Sequence, residues 1–167
     1  MTTKAAVISD THGLLRPEVL EKLMDCDCIV HAGDINRQDL VDQLRTIAPL
    51  HVVMGNNDKK WAEGILPVSL RFQSESCRIH LTPIKKNVPK DLTDVDIVIF
   101  GHSHKYLTKK DPDTGVLWLN PGSCGRRRFH QEITMAILTI DGQAASVEKI
   151  LIPHQEKSLP EKKGKEK

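Results

Sequence analysis

The sequence predicts an α/β protein, and three observations carry that prediction. Short apolar runs without polar alternation are separated by amphipathic stretches of about ten residues, the pattern of βαβ units whose parallel sheet is buried on both faces. Each of these runs ends in glycine and polar residues rather than fading into a loop. The second half of the chain is richer in strand and turn signals than in helix signals, so the parallel portion cannot be the whole fold.

Taken in order, residues 5–8 (Ala-Ala-Val-Ile) form the first buried strand and stop at Ser9-Asp10. Residues 17–24 begin with proline, which suits a first helical turn, and place Val19, Leu20, Leu23 and Met24 on one face. Residues 28–30 make a second strand that exits into His31-Ala-Gly-Asp34, and residues 39–47 a helix faced by Leu40, Val41, Leu44 and Ile47. Residues 51–54 form a third strand, which exits into Gly55-Asn-Asn-Asp58. Beyond it, residues 68–72 and 78–82 are compatible with a hairpin or a meander. Residues 96–100 are another buried run, ending at Gly101-His-Ser-His104. Strands at 106–108 and 116–119 flank the turn-rich residues 111–115, and strands at 133–140 and 144–152 flank Asp141-Gly142, a strong hairpin signal. One domain is therefore expected over residues 1–152, followed by a charged, flexible tail over 153–167.

Composition removes several classes of function. The chain has 167 residues and a formal charge of +2, and the segment from Glu156 onward, with five Lys and three Glu, accounts for all of it. A neutral body lacks the basic face of a dedicated nucleic-acid binder. No apolar run approaches the roughly 20 residues of a membrane span, and no signal peptide is recognisable. Four cysteines (Cys26, Cys28, Cys77, Cys124) without a secretion signal read as reduced thiols, and a cytoplasmic location is expected.

The chemistry concentrates where the strands end. In an open parallel sheet the carboxyl ends of the strands share one crevice, where ligands bind, so residues distant in sequence converge there. Asp10, His12, Asp34, Asn56, His102 and His104 all follow buried strands, each with a glycine nearby that lets the backbone turn. Oxygen and imidazole donors without thiolate suit Mn²⁺, Zn²⁺, Fe, Co or Ni. Two such ions sharing a carboxylate would activate a water and polarise a phosphoryl oxygen. The plainer reading is that Asp10 and Asp34 cap the helices that follow them.

These motifs, D-x-H at Asp10-Thr-His12, G-D at Gly33-Asp34, G-N-x-D at Gly55-Asn-Asn-Asp58, G-H-x-H at Gly101-His-Ser-His104 and N-P-G-S at Asn120-Pro-Gly-Ser123, resemble those of the calcineurin-like metallophosphoesterases. More narrowly, the chain is similar over residues 4 to about 152 to the small bacterial and archaeal phosphodiesterases, to which the eukaryotic retromer scaffold subunit is related. The resemblance implies a four-layer α/β/β/α sandwich of two mixed sheets. It implies that Asp34 bridges two metals, that Asp10, His12 and His104 hold one ion, and that Asn56 and His102 hold the other. It further implies hydrolysis of a small phosphoester, a phosphodiester first of all, by a metal-activated water, with His12 and Asp34 as the catalytic residues. Nucleic acid is then expected only as a nucleotide-type substrate, and a homo-oligomer is left open.

Two departures from the family pattern matter. Where the family has a further histidine ligand for the second metal, this chain has Pro83, and His80, three residues earlier, points to the opposite face of an extended strand unless a bulge intervenes. The second ion is then expected to bind weakly or not at all, and the alternative function is a metal-binding protein-interaction scaffold with weak or no catalysis. The second departure is Asn57, in the place of a histidine that assists the leaving group in larger members; an amide cannot serve as a general acid. Among the other residues, Asp58 reads as an orienting partner or a plain turn residue, and Arg126 to Arg128 as a phosphate grip or a solvated loop. His31 reads as a core histidine, and Trp61 and Trp118 as packing residues.

Overall fold

Strand β1 (Thr2–Ile8) shows how one run of four apolar residues serves two cores at once. Its side chains alternate, so Ala5 and Val7 face one layer of packing while Ala6 and Ile8 face another, all buried. The computed structural model describes residues 1–127 and 131–153. In it β1 is the middle strand of a five-stranded mixed sheet. On one side lie β2 (Cys28–His31) and β3 (Leu50–Val52), both parallel to it; on the other lies β9 (Thr134–Asp141), antiparallel to β1, and then β10 (Ala144–Leu151), antiparallel to β9. The β9–β10 hairpin turns through Gly142-Gln143, with Gly142 at φ 62°.

Helices α1 (Pro17–Leu23), α2 (Gln38–Ile47) and the short α3 (Lys59–Ala62) cover the outer face of this sheet. Val19 and Leu23 of α1 and Leu40, Val41 and Leu44 of α2 are buried against Ala6, Ile8, Ile29, Met135 and Ile137. Burial of such side chains stabilises the domain by roughly 1.5–3 kcal/mol each. No helix among the described residues is long and apolar enough to cross a membrane.

The second sheet has the order β4 (Leu70–Ser74), β5 (Cys77–Leu81), β6 (Ile97–Ile99), β8 (Leu117–Asn120), β7 (Leu107–Lys110). The three central strands are parallel and the two edges antiparallel. Residues 70–81 thus form a hairpin, turned through Glu75-Ser76 with Glu75 at φ 52°. Ile79, Leu81, Ile97, Ile99 and Leu119 meet Ala5, Val7, Val30 and Leu138 of the first sheet to make the inner core. The outer face of the second sheet carries Val98, Phe100 and Val116, covered by residues 84–93 with one 3-10 turn (Lys85–Asn87). Among the described residues the layers are therefore helices, sheet, sheet and a loop layer with one 3-10 turn, and the α-helices lie on the first sheet.

Several strand ends differ from expectation by one to three residues. Val53 and Met54 stay buried but leave the ladder, and Met54 donates its N–H to the Pro67 carbonyl instead. Val68 is 63% exposed and lies outside β4. Strand β7 runs on to Lys110 because its antiparallel pairing with β8 continues up to the turn closed by Asp111 and Val116. All four cysteines are unpaired. Arg128, His130 and the tail from residue 154 lie outside the described residues.

Candidate metal centre

The parallel strands β1, β2, β6 and β8 deliver Asp10, Asp34, Gly101 and Asn120 to one rim formed by both sheets. Five of the six candidate ligands adopt left-handed backbone: Asp10 (φ 57°), His12 (46°), Asp34 (61°), His102 (75°) and His104 (63°). Non-glycine residues in that region cost on the order of 1–3 kcal/mol each, and they persist only where the surroundings over-determine them. Here loop-to-loop bonds do so: Asp10 N–H donates to Gly33 O, His12 N–H to Asp34 O and Gly13 N–H to Ile35 O, at 2.8–3.0 Å. Among the adjacent glycines, Gly13 (φ 80°) and Gly33 (φ 103°) turn the backbone as expected, and two others act differently. Gly55 (φ −87°) and Gly101 have no need of positive φ; a Cβ on Gly55 would overlap the Asp34 N and Oδ1, and one on Gly101 would overlap Ser9 Oγ.

The Asp10 carboxylate is fully buried. Its Oδ2 accepts from Ser9 Oγ–H at 2.8 Å and from His102 N–H at 3.2 Å. Its Oδ1 has no hydrogen-bond partner and faces His104 Nε2 at 3.4 Å and His12 Nε2 at 3.8 Å. One donor atom from each of Asp10, His12 and His104 lies within 4.8 Å of the other two. A buried carboxylate oxygen that no donor satisfies, aimed between two imidazoles, fits a divalent cation. Neither aspartate caps a helix: α1 is preceded by Arg16 and α2 by Arg37, and that plainer reading fails.

Asp34 sits beside this trio. Its Oδ1 accepts the Asn57 N–H at 2.9 Å, and its Oδ2 lies 3.6 Å from His102 Nδ1. Burial is the largest influence on its carboxyl and pushes the pKa up. The Asn57 N–H bond and the nearby His12 and His102 together outweigh it and hold the pKa below the ordinary value. His102 is half exposed and Asn56 is exposed at the start of the 3-10 turn Asn56–Asp58. The second ligand set is therefore looser and wetter than the first.

Three residues brace the rim from behind. Asp58, fully buried, accepts backbone N–H bonds from Asp34, Ile35, Asn36 and Gly55 at 2.8–3.1 Å, so it shapes the Asp34 loop rather than merely closing a turn. Asn120 donates Nδ2–H to Ser103 Oγ and Gly101 O, and Ser123 donates Oγ–H to Asp10 O. Arg127 donates to Gln131 O within its own loop, while Arg126 is exposed.

His31 was expected in the core, and it is fully buried there, but its two bonds were not legible. Its Nδ1 accepts the Gly33 N–H at 3.0 Å, which leaves the proton on Nε2 to donate to Thr11 Oγ1 at 3.0 Å. The neutral ring thus ties the Asp10–His12 loop to the Gly33–Asp34 loop. Burial, with a smaller push from His12 and an opposing pull from Asp34, lowers its pKa from 6.5 to about 3. The unfolded chain binds a proton below pH 6.5 that the native ring refuses. Stability from this group is therefore complete above pH 6.5 and is lost as pH falls toward 3. Replacing His31 with Leu should lower Tm by about 5–10 °C at pH 7.5, since two buried polar groups lose partners. The gap to wild type should narrow between pH 6.5 and 5, as thermal melts across that range would show.

The departure at residue 83 has a clear geometry. Pro83 is buried on the rim: its carbonyl accepts the Gly101 N–H at 3.1 Å, and a Cβ on Gly33 would lie 3.2 Å from its own Cβ. His80 lies on the other face, where its Nδ1 accepts from Arg71 Nε at 3.0 Å. Strand β5 pairs with β6 in unbroken register from Ile79↔Ile97 to Leu81↔Ile99, so no bulge turns His80 toward the rim.

The chain matches the family model described as the calcineurin-like phosphoesterase superfamily domain over residues 4–143. It is 34% identical to a probable metallophosphoesterase of Methanothermobacter thermautotrophicus, covering 85% of this chain and 88% of that one. It is 30% identical to a probable metallophosphoesterase of Bacillus subtilis, with coverage of 84% and 86%. Among solved structures it resembles Vps29 of Entamoeba histolytica complexed with Zn²⁺, at 25% identity and a TM-score of 0.61 over 89% of this chain and 98% of that one.

Proposed function

The chain belongs to the calcineurin-like phosphoesterase superfamily, and from that premise we propose that it is a metal-dependent phosphodiesterase acting on small phosphoesters. The observation that carries the reading is the unpartnered, buried Oδ1 of Asp10 between His12 and His104. Asp10, His12 and His104 would hold the tighter ion, Mn²⁺ first among the candidates, with Asp34 beside it and Asn56 and His102 toward a weaker second position. Bound there, a divalent metal supplies Lewis-acid polarisation of a phosphoryl oxygen and a lowered pKa for water.

The protein's own groups do the rest. The left-handed loops hold five donors in place before substrate arrives, so little reorganisation accompanies binding. Asp34 is kept ionised by the Asn57 N–H and its histidine neighbours, so its carboxylate is available to a bound cation. His12 lies against Asp10, its Nε2 3.8 Å from the free Oδ1, and would give that nitrogen to the ion. Asn57 cannot protonate a leaving group, which favours esters whose leaving group departs as a stable anion.

A second reading, a metal-binding interaction scaffold, is favoured by Pro83 at the rim, where no side-chain donor can complete a second ion. Hydrolysis of bis-p-nitrophenyl phosphate with Mn²⁺ separates the two. The enzyme reading expects turnover in the wild type and a loss of at least about a hundredfold in Asp34→Asn, a carboxylate lost beside the metal. Equal inactivity of both proteins across Mn²⁺, Zn²⁺, Fe²⁺, Co²⁺ and Ni²⁺ leaves the scaffold.

A further inference from the structure

The outer face of the second sheet holds a cavity of about 1020 Å³ under the loop of residues 84–93. That is at the upper end of the ~300–1000 Å³ that small-molecule sites occupy. Its floor is apolar, with Val88, Leu92, Val95 and the half-buried ring of Trp118, which is held edge-on by Phe100 at 6.3 Å. Its rim is basic. Lys85, Lys86 and Lys90 all border it, and among the described residues none of the three has an acidic partner. Lys85 Nζ stands 5.7 Å from the Trp118 ring centroid.

The acidic residues at the cavity offset this only in part, since three lysines stand against the two carboxylates, Asp91 and Asp111, that no cation pairs among the described residues. Asp96 is neutralised by Arg78, at 3.1 and 3.2 Å. Asp91 is turned to the N–H and hydroxyl of Thr93, and Asp111 to the N–H of Asp113. A flat aromatic floor beneath unpaired ammonium groups is complementary to a ligand with a planar apolar body and an anionic head.

The site is separate from the metal centre by topology. The catalytic loops leave the carboxyl ends of β5, β6 and β8 at Pro83, Gly101 and Asn120, whereas the cavity is bounded by Arg78, Asp96 and the 111–115 turn at the amino ends of the same strands. None of the candidate metal ligands lines it. We propose that this cavity is a second binding site, for a small anionic ligand with a planar aromatic body, seated on Trp118 with its anion among Lys85, Lys86 and Lys90.

The test uses the full-length protein and the aromatic sulfonate 8-anilinonaphthalene-1-sulfonate as probe, followed by dye fluorescence and by backbone amide shifts. Saturable binding at one site per chain is expected, with shifts centred on residues 84–95 and 111–118. The triple variant Lys85→Glu, Lys86→Glu, Lys90→Glu should bind the dye at least about tenfold more weakly, as should Trp118→Leu, while its metal-dependent hydrolysis is retained. The uncharged N-phenyl-1-naphthylamine should also bind about tenfold more weakly to the wild type. The lysines are exposed, so their replacement leaves the core intact. Shifts centred elsewhere, or equal binding of the dye by the triple variant, would overturn the proposal. So would equal binding of the uncharged compound, which would leave an apolar surface without charge selection.

Discussion

Asp10→Asn is expected to abolish tight metal binding and to lower phosphodiester hydrolysis by about 10³-fold, equivalent to ~4 kcal/mol of transition-state stabilisation. The argument rests on what the two oxygens of Asp10 do. Oδ2 is engaged by Ser9 and the His102 N–H, and an amide oxygen could keep those bonds. Oδ1 has no donor and sits 3.4 Å from His104 and 3.8 Å from His12. An amide NH₂ there removes the negative charge and puts hydrogens where a cation would bind. The shape is retained, so the fold should survive. Calorimetric titration with Mn²⁺ beside a thermal melt checks both parts; metal binding as in wild type would exclude Asp10 as a ligand.

Asp58→Ala should be the most destabilising single change at the rim, by about 3–5 kcal/mol. Its buried carboxylate satisfies backbone N–H groups of Asp34, Ile35, Asn36 and Gly55, and alanine leaves all of them without an acceptor. Two of the residues so released, Asp34 and Asn36, stand at φ 61° and 79°, so the loop would relax toward ordinary backbone. Chemical denaturation should show the loss, and metal affinity should fall with it even though Asp58 is not a ligand. Asp58→Asn, which keeps one acceptor oxygen, should recover part of both. A variant as stable as wild type would make Asp58 a plain turn residue.

The βαβ half of the fold was legible because burial on both faces leaves an unalternating apolar signature, as in residues 5–8 and 28–30. The Asp141-Gly142 turn announced its hairpin through glycine chemistry. The outer layer of the second sheet was less legible, since residues 84–93 carry neither helical periodicity nor strand alternation and cover Val98 and Phe100 as a loop. At the site, residue types and their order pointed to Asp10, His12, Asp34, Asn56, His102 and His104. What remained hidden was three-dimensional. Aspartate and histidine enter left-handed backbone more often than most residues, but residue type alone does not mark which of them do so here. The bonds of His31 to Thr11 and Gly33, and of Ser123 to the Asp10 carbonyl, join segments whose proximity only the sheet order creates. The face on which Pro83 and His80 lie followed from strand alternation alone, and the unbroken β5–β6 register agrees with it.

The account stands on a metal at Asp10, His12 and His104 on which hydrolysis depends, and one titration addresses that claim directly. Wild-type protein stripped by chelation is reloaded with measured Mn²⁺ while bound metal and bis-p-nitrophenyl phosphate turnover are followed together. Turnover should be absent in the stripped protein and should rise with the first ion bound per chain, with further metal bound only weakly because Pro83 offers no donor. Unchanged turnover in the stripped protein, or a fully loaded protein that hydrolyses nothing, would contradict it.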